Sequence, residues 1–537
     1  MRILTRILSF TRNNSQIISF TQKRLKTSVS PEKCSTPHSL GLVLGVYSNE
    51  NDMLDTGQLT PNATKFNEVC NGRLYELLRI AGPLPKRGEC RLLFNIEQNF
   101  STIAVCGLGD KCLGYNEEEL IDEGKEAIRI ASAVGCQKLQ ELNTNKIYVE
   151  SFGNSESAAE GSSMGLWSYE GQRKDRLYTS QMELYTENNF EYDMEAWDIG
   201  MHKAEAQNLA RQLMETPASI MTPTKFAQNV VNVLCDSGVN VEVKVRAWAE
   251  AQKMNAFLAI AKGSAEPPIF LELSYYGTSS NEKPIVLIGQ GTTFDSGGLS
   301  LKPLEELQHM RGSMCGAACV VATCRAIASL KLPVNVRGLI PLCEHMIGAN
   351  TVRSGDVVTA KNGLSLEIQH TDKEAPLVLV DALLYAENFN PKFILDVGTL
   401  HNDMKGALGE AAAGVFTSND AMWQELEAAA VHTGDRVWRM PIWNYFTGTV
   451  KNSCSVDIQN VGQGRGGGSC KAAAILREFV PLNVDWMHVD AMGVMTTNGN
   501  NFEYLKNGMS GRPTRTIIEF LAKGIKLDAN VEKKNKF

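Results

Sequence analysis

The chain alternates short apolar runs with segments of helical periodicity, and few folds satisfy that pattern. Residues 41–47 (GLVLGVY) and 102–108 (TIAVCGL) are apolar runs of strand length. A strand apolar on both faces needs cover on both faces, which helices above and below a sheet supply. Helical spacing appears between them, over residues 64–80, and again over 117–132; residues 146–152 give a further strand. This predicts an α/β domain with a largely parallel sheet, ending near Tyr192. A helix over about 197–215 leads on. The second half repeats the alternation, with strands at 285–288, 334–342 and 393–397 and helices at 304–330 and 375–387. The expected architecture is therefore α/β in two domains. A smaller N-terminal α/β domain spans 38–192, a linker helix 193–220, a larger C-terminal α/β domain 221–525, and a polar tail 526–537. The larger domain is expected to be a mixed sheet flanked by helices, with its site at the carboxyl ends of the strands.

Residues 1–30 stand apart. They contain Arg2, Arg6, Arg12, Lys23, Arg24 and Lys26, and the first acid is Glu32. Ile3, Leu4, Ile7 and Leu8 share a helical face. A basic, acid-free, amphipathic leader describes a mitochondrial transit peptide and predicts the matrix. A merely disordered basic tail would instead leave the protein cytoplasmic. Elsewhere, 43% hydrophobic and 21% charged residues describe a packed globular chain. A net charge of −7 argues against a nucleic-acid partner. No stretch approaches the roughly 18 uninterrupted apolar residues of a membrane span. The 13 cysteines include no CxxC pair, so they read as reduced core thiols.

Three segments carry chemistry. IGQGTTFDSGGLSLKP (288–303) runs from a strand into a glycine-rich loop bearing Asp295 and Lys302. MRGSMCGAA (310–318) opens the helix expected over 304–330. HTDKEAPLVLVDAL (370–383) places Asp372 and Glu374 just ahead of a helix. Alternate residues of an extended segment point the same way, so both carboxylates can face one site. Three convergent carboxylates suit a divalent cation, although the same residues could be solvated loop acids.

Together with NLARQLMETPASIMTPTKFA (208–227), GDRVWRMP (434–441) and GRPTRTIIEFL (511–521), these segments resemble the leucyl aminopeptidase (cytosol aminopeptidase) family. The resemblance covers residues 41–521 or so. It implies a metallopeptidase-like C-terminal domain, a divalent metal (Mn or Zn), and a homohexamer or a hetero-oligomer with paralogues. It also implies a two-metal site of one lysine, three aspartates and a glutamate, assisted by a second lysine and an arginine that holds a carbonate-like base. Carried across singly, Asp295, Asp372 and Glu374 are retained metal ligands and Lys302 is the retained catalytic lysine. The ligand lysine falls at Gln290, the helix aspartate at Ser313 and the arginine at Pro376. The implied substrate pocket takes in Met310, Thr399, Leu400, Asn402 (for a glycine) and Met495.

These departures remove charge. Gln290 offers a neutral amide oxygen and Ser313 a hydroxyl, both weaker ligands than a carboxylate. Pro376 supplies no side-chain donor for an anion. Three carboxylates cannot neutralise two divalent ions, so at most one well-bound ion is expected. The expected function is a catalytically impaired or inactive hexameric structural protein of mitochondria, similar to degenerate family members of insect sperm. The alternative is an active metal-dependent aminopeptidase releasing N-terminal residues from peptides. Other motifs read more plainly. GQGRGG (462–467) is a lone GxGxxG match, and Cys315, Cys319 and Cys324 read as core thiols. His370 reads as a loop histidine, and Met310 and Met495 would serve equally as core.

Overall fold

The computed structural model describes residues 39–48, 58–171, 174, 179–186, 191–499 and 502–534. The basic leader at 1–30 lies outside the described residues. A five-stranded sheet organises the N-terminal half, in the order Cys90–Phe94, Thr102–Gly109, Leu40–Tyr47, Lys146–Val149, Gln181–Leu184. Neighbours run parallel except at the Cys90–Phe94 edge. The pleat divides the apolar run as the period of two requires. Leu42, Leu44 and Val46 enter one apolar cluster and Val43 the opposite one.

Two expected helices are corrected here. The single helix over 64–80 is two, Pro61–Val69 and Arg73–Ile80. Asn71 and Gly72 take left-handed φ of 52° and 81° between them, and Gly72 N–H closes the first helix onto the Asn67 carbonyl at 2.8 Å. The helix over 117–132 runs instead over Glu123–Glu141. The Asn116 side chain captures the N–H groups of Glu118 and Glu119 at 2.9 and 3.2 Å, which holds a turn there. Asp122 then caps the helix through Lys125 N–H at 3.1 Å.

Helix Glu191–Glu215 packs against both Ser155–Leu166 and Cys315–Ser329 and so belongs to both halves. A buried ion network reinforces the junction. Glu160 Oε2 accepts from Arg129 Nε at 2.6 Å and from Arg515 Nη1 at 2.7 Å.

The larger sheet follows the order Val437–Arg439, Ala413–Thr417, Asp485–Asp490, Phe393–Gly398, Ile285–Gly289, Asn335–His345, Ile269–Tyr276, Asn240–Val245. The four strands from Asp485–Asp490 to Asn335–His345 are mutually parallel, with antiparallel partners on either side. Strand Gly291–Asp295 adds to Asn335–His345 beyond the end of Ile285–Gly289. The sheet is thus mixed and flanked by helices, as expected.

The continuous helix over 304–330 is also corrected. It is a short helix Leu304–Leu307, a 3-10 turn Met310–Met314 and a helix Cys315–Ser329. The helix begins where it meets the sheet. A Cβ on Gly316 would stand 2.0 Å from the Val397 carbonyl oxygen, so this approach admits only glycine. The segment Met310–Ser329 is apolar and long enough to cross a membrane by composition, but 89% of it is buried inside the protein. It is a core element between the sheet and helix Glu191–Glu215.

Candidate metal centre at the carboxyl edge of the large sheet

The central strands end together, and their first residues beyond the sheet build the site. Gln290 follows strand Ile285–Gly289. Its backbone N–H donates to Val397 at 2.9 Å and its carbonyl accepts from Ala317 at 2.9 Å, so the residue is fixed between two elements. Its side chain is fully buried. The amide oxygen accepts from Thr399 N–H at 2.8 Å, which sets the amide's orientation, since a backbone N–H can only donate. The amide nitrogen then donates to Ser313 Oγ at 3.1 Å and lies 3.5 Å from Thr292 Oγ1. Ser313 Oγ lies 3.4 Å from Thr399 Oγ1. Gln290, Ser313 and Thr399 thus form a closed, neutral hydrogen-bonded group. Gly398 makes room for it, since a Cβ there would stand 2.8 Å from the Gln290 amide oxygen.

Beside this group lies a charged one. Asp295 ends strand Gly291–Asp295 and is 2% exposed. Its Oδ2 meets Lys302 Nζ at 2.8 Å, and its Oδ1 accepts from Gly297 N–H at 2.9 Å and faces His345 Nδ1 at 3.0 Å. Gly297 and Gly298, with φ of 86° and 69°, turn the loop so that Lys302 returns over the aspartate. Lys302 Nζ also donates to the Asp372 carbonyl at 2.9 Å. Glu374, 2% exposed, stands at the start of helix Ala375–Ala386 with Oε2 3.9 Å from Lys302 Nζ and 3.7 Å from His345 Nδ1. Asp372 is placed differently. Its carboxylate pairs with Lys373 Nζ at 3.1 Å at the rim.

Charge sets the protonation. Burial pushes Asp295 up, but the Lys302 ammonium and the His345 ring outweigh it and hold the carboxyl well below the usual range. Burial, then the Asp295 charge, push Glu374 well above its usual range. Burial would lower Lys302, but Glu374 and Asp295 together raise it above its ordinary value. The Lys302 ammonium and the Asp295 carboxylate thus pair inside the pocket.

The buried acids and His345 could hold a divalent ion. Asp295, His345 and Glu374 offer ligand atoms that all lie within 4.8 Å of one another. Glu374 Oε2 is buried and accepts no hydrogen bond from the described residues. On the other side, every polar atom of Gln290 is already directed at Ser313, Thr292 or Thr399, and none carries charge. Pro376 is buried at the first turn of its helix and borders a cavity of about 230 Å³ with Lys373, Leu400, His401, Asp403 and Arg465. Met310 and Met495 are buried in the large core, 3% and 2% exposed. Thr399 and Leu400 are buried beside Gln290 and Asp490, and Asn402 starts helix Asn402–Leu408. His370 is a loop residue with a side chain 61% exposed. Cys315 and Cys319 are buried with sulfurs 3.8 Å apart, and Cys324 is buried beyond them. His345 was missed from sequence. It lies three residues beyond the apolar run at 334–342, and only its position at the carboxyl end of a central strand could have marked it.

Residues 208–518 match the catalytic-domain model of the cytosol aminopeptidase family, and residues 43–176 match that family's N-terminal-domain model. The chain is 45% identical to a human cytosol aminopeptidase over 484 residues, covering 90% of this chain and 92% of that one. A bovine cytosol aminopeptidase is 43% identical over 495 residues, covering 92% and 94%. Among solved structures, a bottromycin maturation enzyme in complex with Mn superimposes with a TM-score of 0.77 at 27% identity, over 90% of this chain and 99% of that chain. A tomato leucine aminopeptidase mutant shares the fold, with a TM-score of 0.76 at 24% identity over 91% and 94%.

Proposed function

The chain belongs to the cytosol aminopeptidase family, and on that premise we propose that it keeps the family scaffold and one divalent-metal position while having lost most peptidase activity. The observation that carries this reading is the closed Gln290–Ser313–Thr399 group. A second cation there would have to break those bonds and would meet no charge in return. Desolvating a cation without a compensating anion costs several kcal/mol.

The retained side can still do part of the chemistry. Asp295 and Glu374, with Asp372 at the rim, would hold one Mn or Zn ion. A bound divalent ion supplies Lewis-acid polarisation of a carbonyl and a more acidic water. Lys302 holds Asp295 in place and presents an ammonium to the cleft. Peptide hydrolysis also needs a base, and Pro376 offers no donor to anchor an anionic one. Losing single electrostatic stabilisers costs on the order of 10²–10³-fold in rate, and here two are missing.

The further reading is a structural oligomer. Exposed Trp438, Trp443 and Tyr445 support self-association, in keeping with the hexamer that the family implies. The basic leader at residues 1–30 supports delivery to the mitochondrial matrix. The domain limits proposed from sequence, with 193–220 as linker, fit this arrangement. A role in sperm rests on the kept-scaffold, lost-ligand pattern alone.

The test is hydrolysis of leucine amide with added Mn or Zn by the parent and by the triple variant Gln290→Lys, Ser313→Asp, Pro376→Arg. The parent is expected to be at least about 10³-fold slower than the restored variant. Robust turnover by the parent would establish the active-aminopeptidase alternative instead. A fluorescent fusion of the first 35 residues tests the leader, and a diffuse cytosolic signal would reject import.

A further inference from the structure

We propose that His345, through Nδ1, joins Asp295 and Glu374 as a ligand, making a one-nitrogen, two-carboxylate site that prefers zinc- or cobalt-type ions. The proposal rests on the one-ion reading above and names the ligand that completes it. Parallel pairing sets Asp295 directly beside His345, fifty residues apart in sequence. The Ser296 N–H and hydroxyl both bond the His345 carbonyl, at 2.9 and 2.8 Å, so the ring is positioned by its own backbone.

Three observations point to a cation there. His345, Asp295 and Glu374 are 0%, 2% and 2% exposed, and their donor atoms converge within 4.8 Å. Glu374 Oε2 is buried and accepts no hydrogen bond from the described residues. A buried carboxylate oxygen of that kind calls for a proton or a cation. Lys302 does not fill the role, since its Nζ is 3.9 Å from Oε2 and is held by Asp295 Oδ2 and the Asp372 carbonyl. Nε2 of His345 is buried against Gly298, where a Cβ would stand 2.7 Å from it, and has no hydrogen-bond partner among the described residues. Nδ1 is thus the ring nitrogen that looks into the cluster. Asp372, the other retained carboxylate, instead pairs with Lys373 and is 21% exposed.

The nitrogen changes which ion is held. All-oxygen sites suit Mg and Mn, whereas imidazole suits Zn, Co and Cu. The second converging cluster, Glu156, His432 and Glu519, carries no such proposal, because both carboxylates accept directly from Lys203 and neither is among the buried oxygens without a hydrogen-bond partner.

The experiment uses the full chain, stripped by chelation and dialysed against equimolar Zn and Mn. We expect one Zn per chain by elemental analysis. Cu-loaded protein should show electron paramagnetic resonance splitting from one nitrogen. His345→Asn should weaken Zn binding by about tenfold or more and remove the nitrogen splitting. His345→Gln is the second variant, and metal-free melting curves confirm that each folds. If His345→Asn keeps both Zn affinity and the nitrogen signal, the proposal is overturned while the one-ion reading stands. If the parent binds two ions, the one-ion reading falls, and the nitrogen signal alone then decides whether His345 is a ligand.

Discussion

Returning a carboxylate to position 313 alone should destabilise the protein, although it restores a family ligand. Ser313 is 2% exposed, and its neighbours are the Gln290 amide at 3.1 Å and the Thr399 hydroxyl at 3.4 Å. Ser313→Asp buries an anion with two neutral donors and no cation among these partners. An uncompensated buried charge costs about 3–5 kcal/mol. Gln290→Lys alone buries an ammonium and strips the Thr399 N–H of its 2.8 Å acceptor, which adds about 1–3 kcal/mol. Ser313→Asp should therefore melt roughly 6–20 °C below the parent, and Gln290→Lys lower still, at about 2–4 °C per kcal/mol. In the double variant the two charges meet, and the penalty should fall short of the sum by about 1–3 kcal/mol. Zn or Mn at about a hundred times its dissociation constant should add a further ~2.7 kcal/mol to the double variant only. Differential scanning fluorimetry with and without metal, beside elemental analysis, reads all of this. A Ser313→Asp protein that melts with the parent, or a double variant whose loss equals the sum, would refute the reasoning.

Two further outcomes follow from buried charge elsewhere. Glu160→Ala leaves the Arg129 and Arg515 guanidinium groups buried without their shared carboxylate, so it should cost about 3–5 kcal/mol and expose the junction to limited proteolysis. Glu150 is fully buried against Thr60 and the Gly45 N–H, and burial pushes its carboxyl up to about 8. A raised folded value means the folded state binds the extra proton. Its contribution is complete below about 4.5 and is lost as pH rises through 8. Glu150→Gln should remove that slope and leave the N-terminal sheet more stable than the parent at pH 9, by on the order of a few kcal/mol, as hydrogen exchange of strand Leu40–Tyr47 will show.

How much was legible in the sequence followed from how local each signal is. Continuous apolar runs marked the central strands because a strand covered on both faces has no polar side to blur it. Asp295 and Lys302 were legible because one ends a strand and the other lies in the glycine-rich loop after it, and Glu374 because it stands just ahead of an apolar helix. The helix over 304–330 was misread because its periodicity persists through Met310–Met314, and only contact with the sheet at Gly316 breaks it. The Asn116 turn escaped because a single side chain competing for two N–H groups outweighs helical spacing. His345 was invisible for a different reason. Its partnership with Asp295 depends on strand register, which no spacing in the chain encodes.

The two ligand substitutions make physical sense only together. Without metal, a lysine and an aspartate at 290 and 313 would carry opposite charges, so neutral residues at both leave the local charge unchanged. Glutamine and serine then satisfy each other, and Thr399 closes the remaining valence. Either exchange alone would strand the other charge in a buried site. On the other side of the site, Lys302 already balances Asp295. A charge placed at 290 or 313 alone would meet no partner in this buried neutral group, so the two positions are costly to change one at a time.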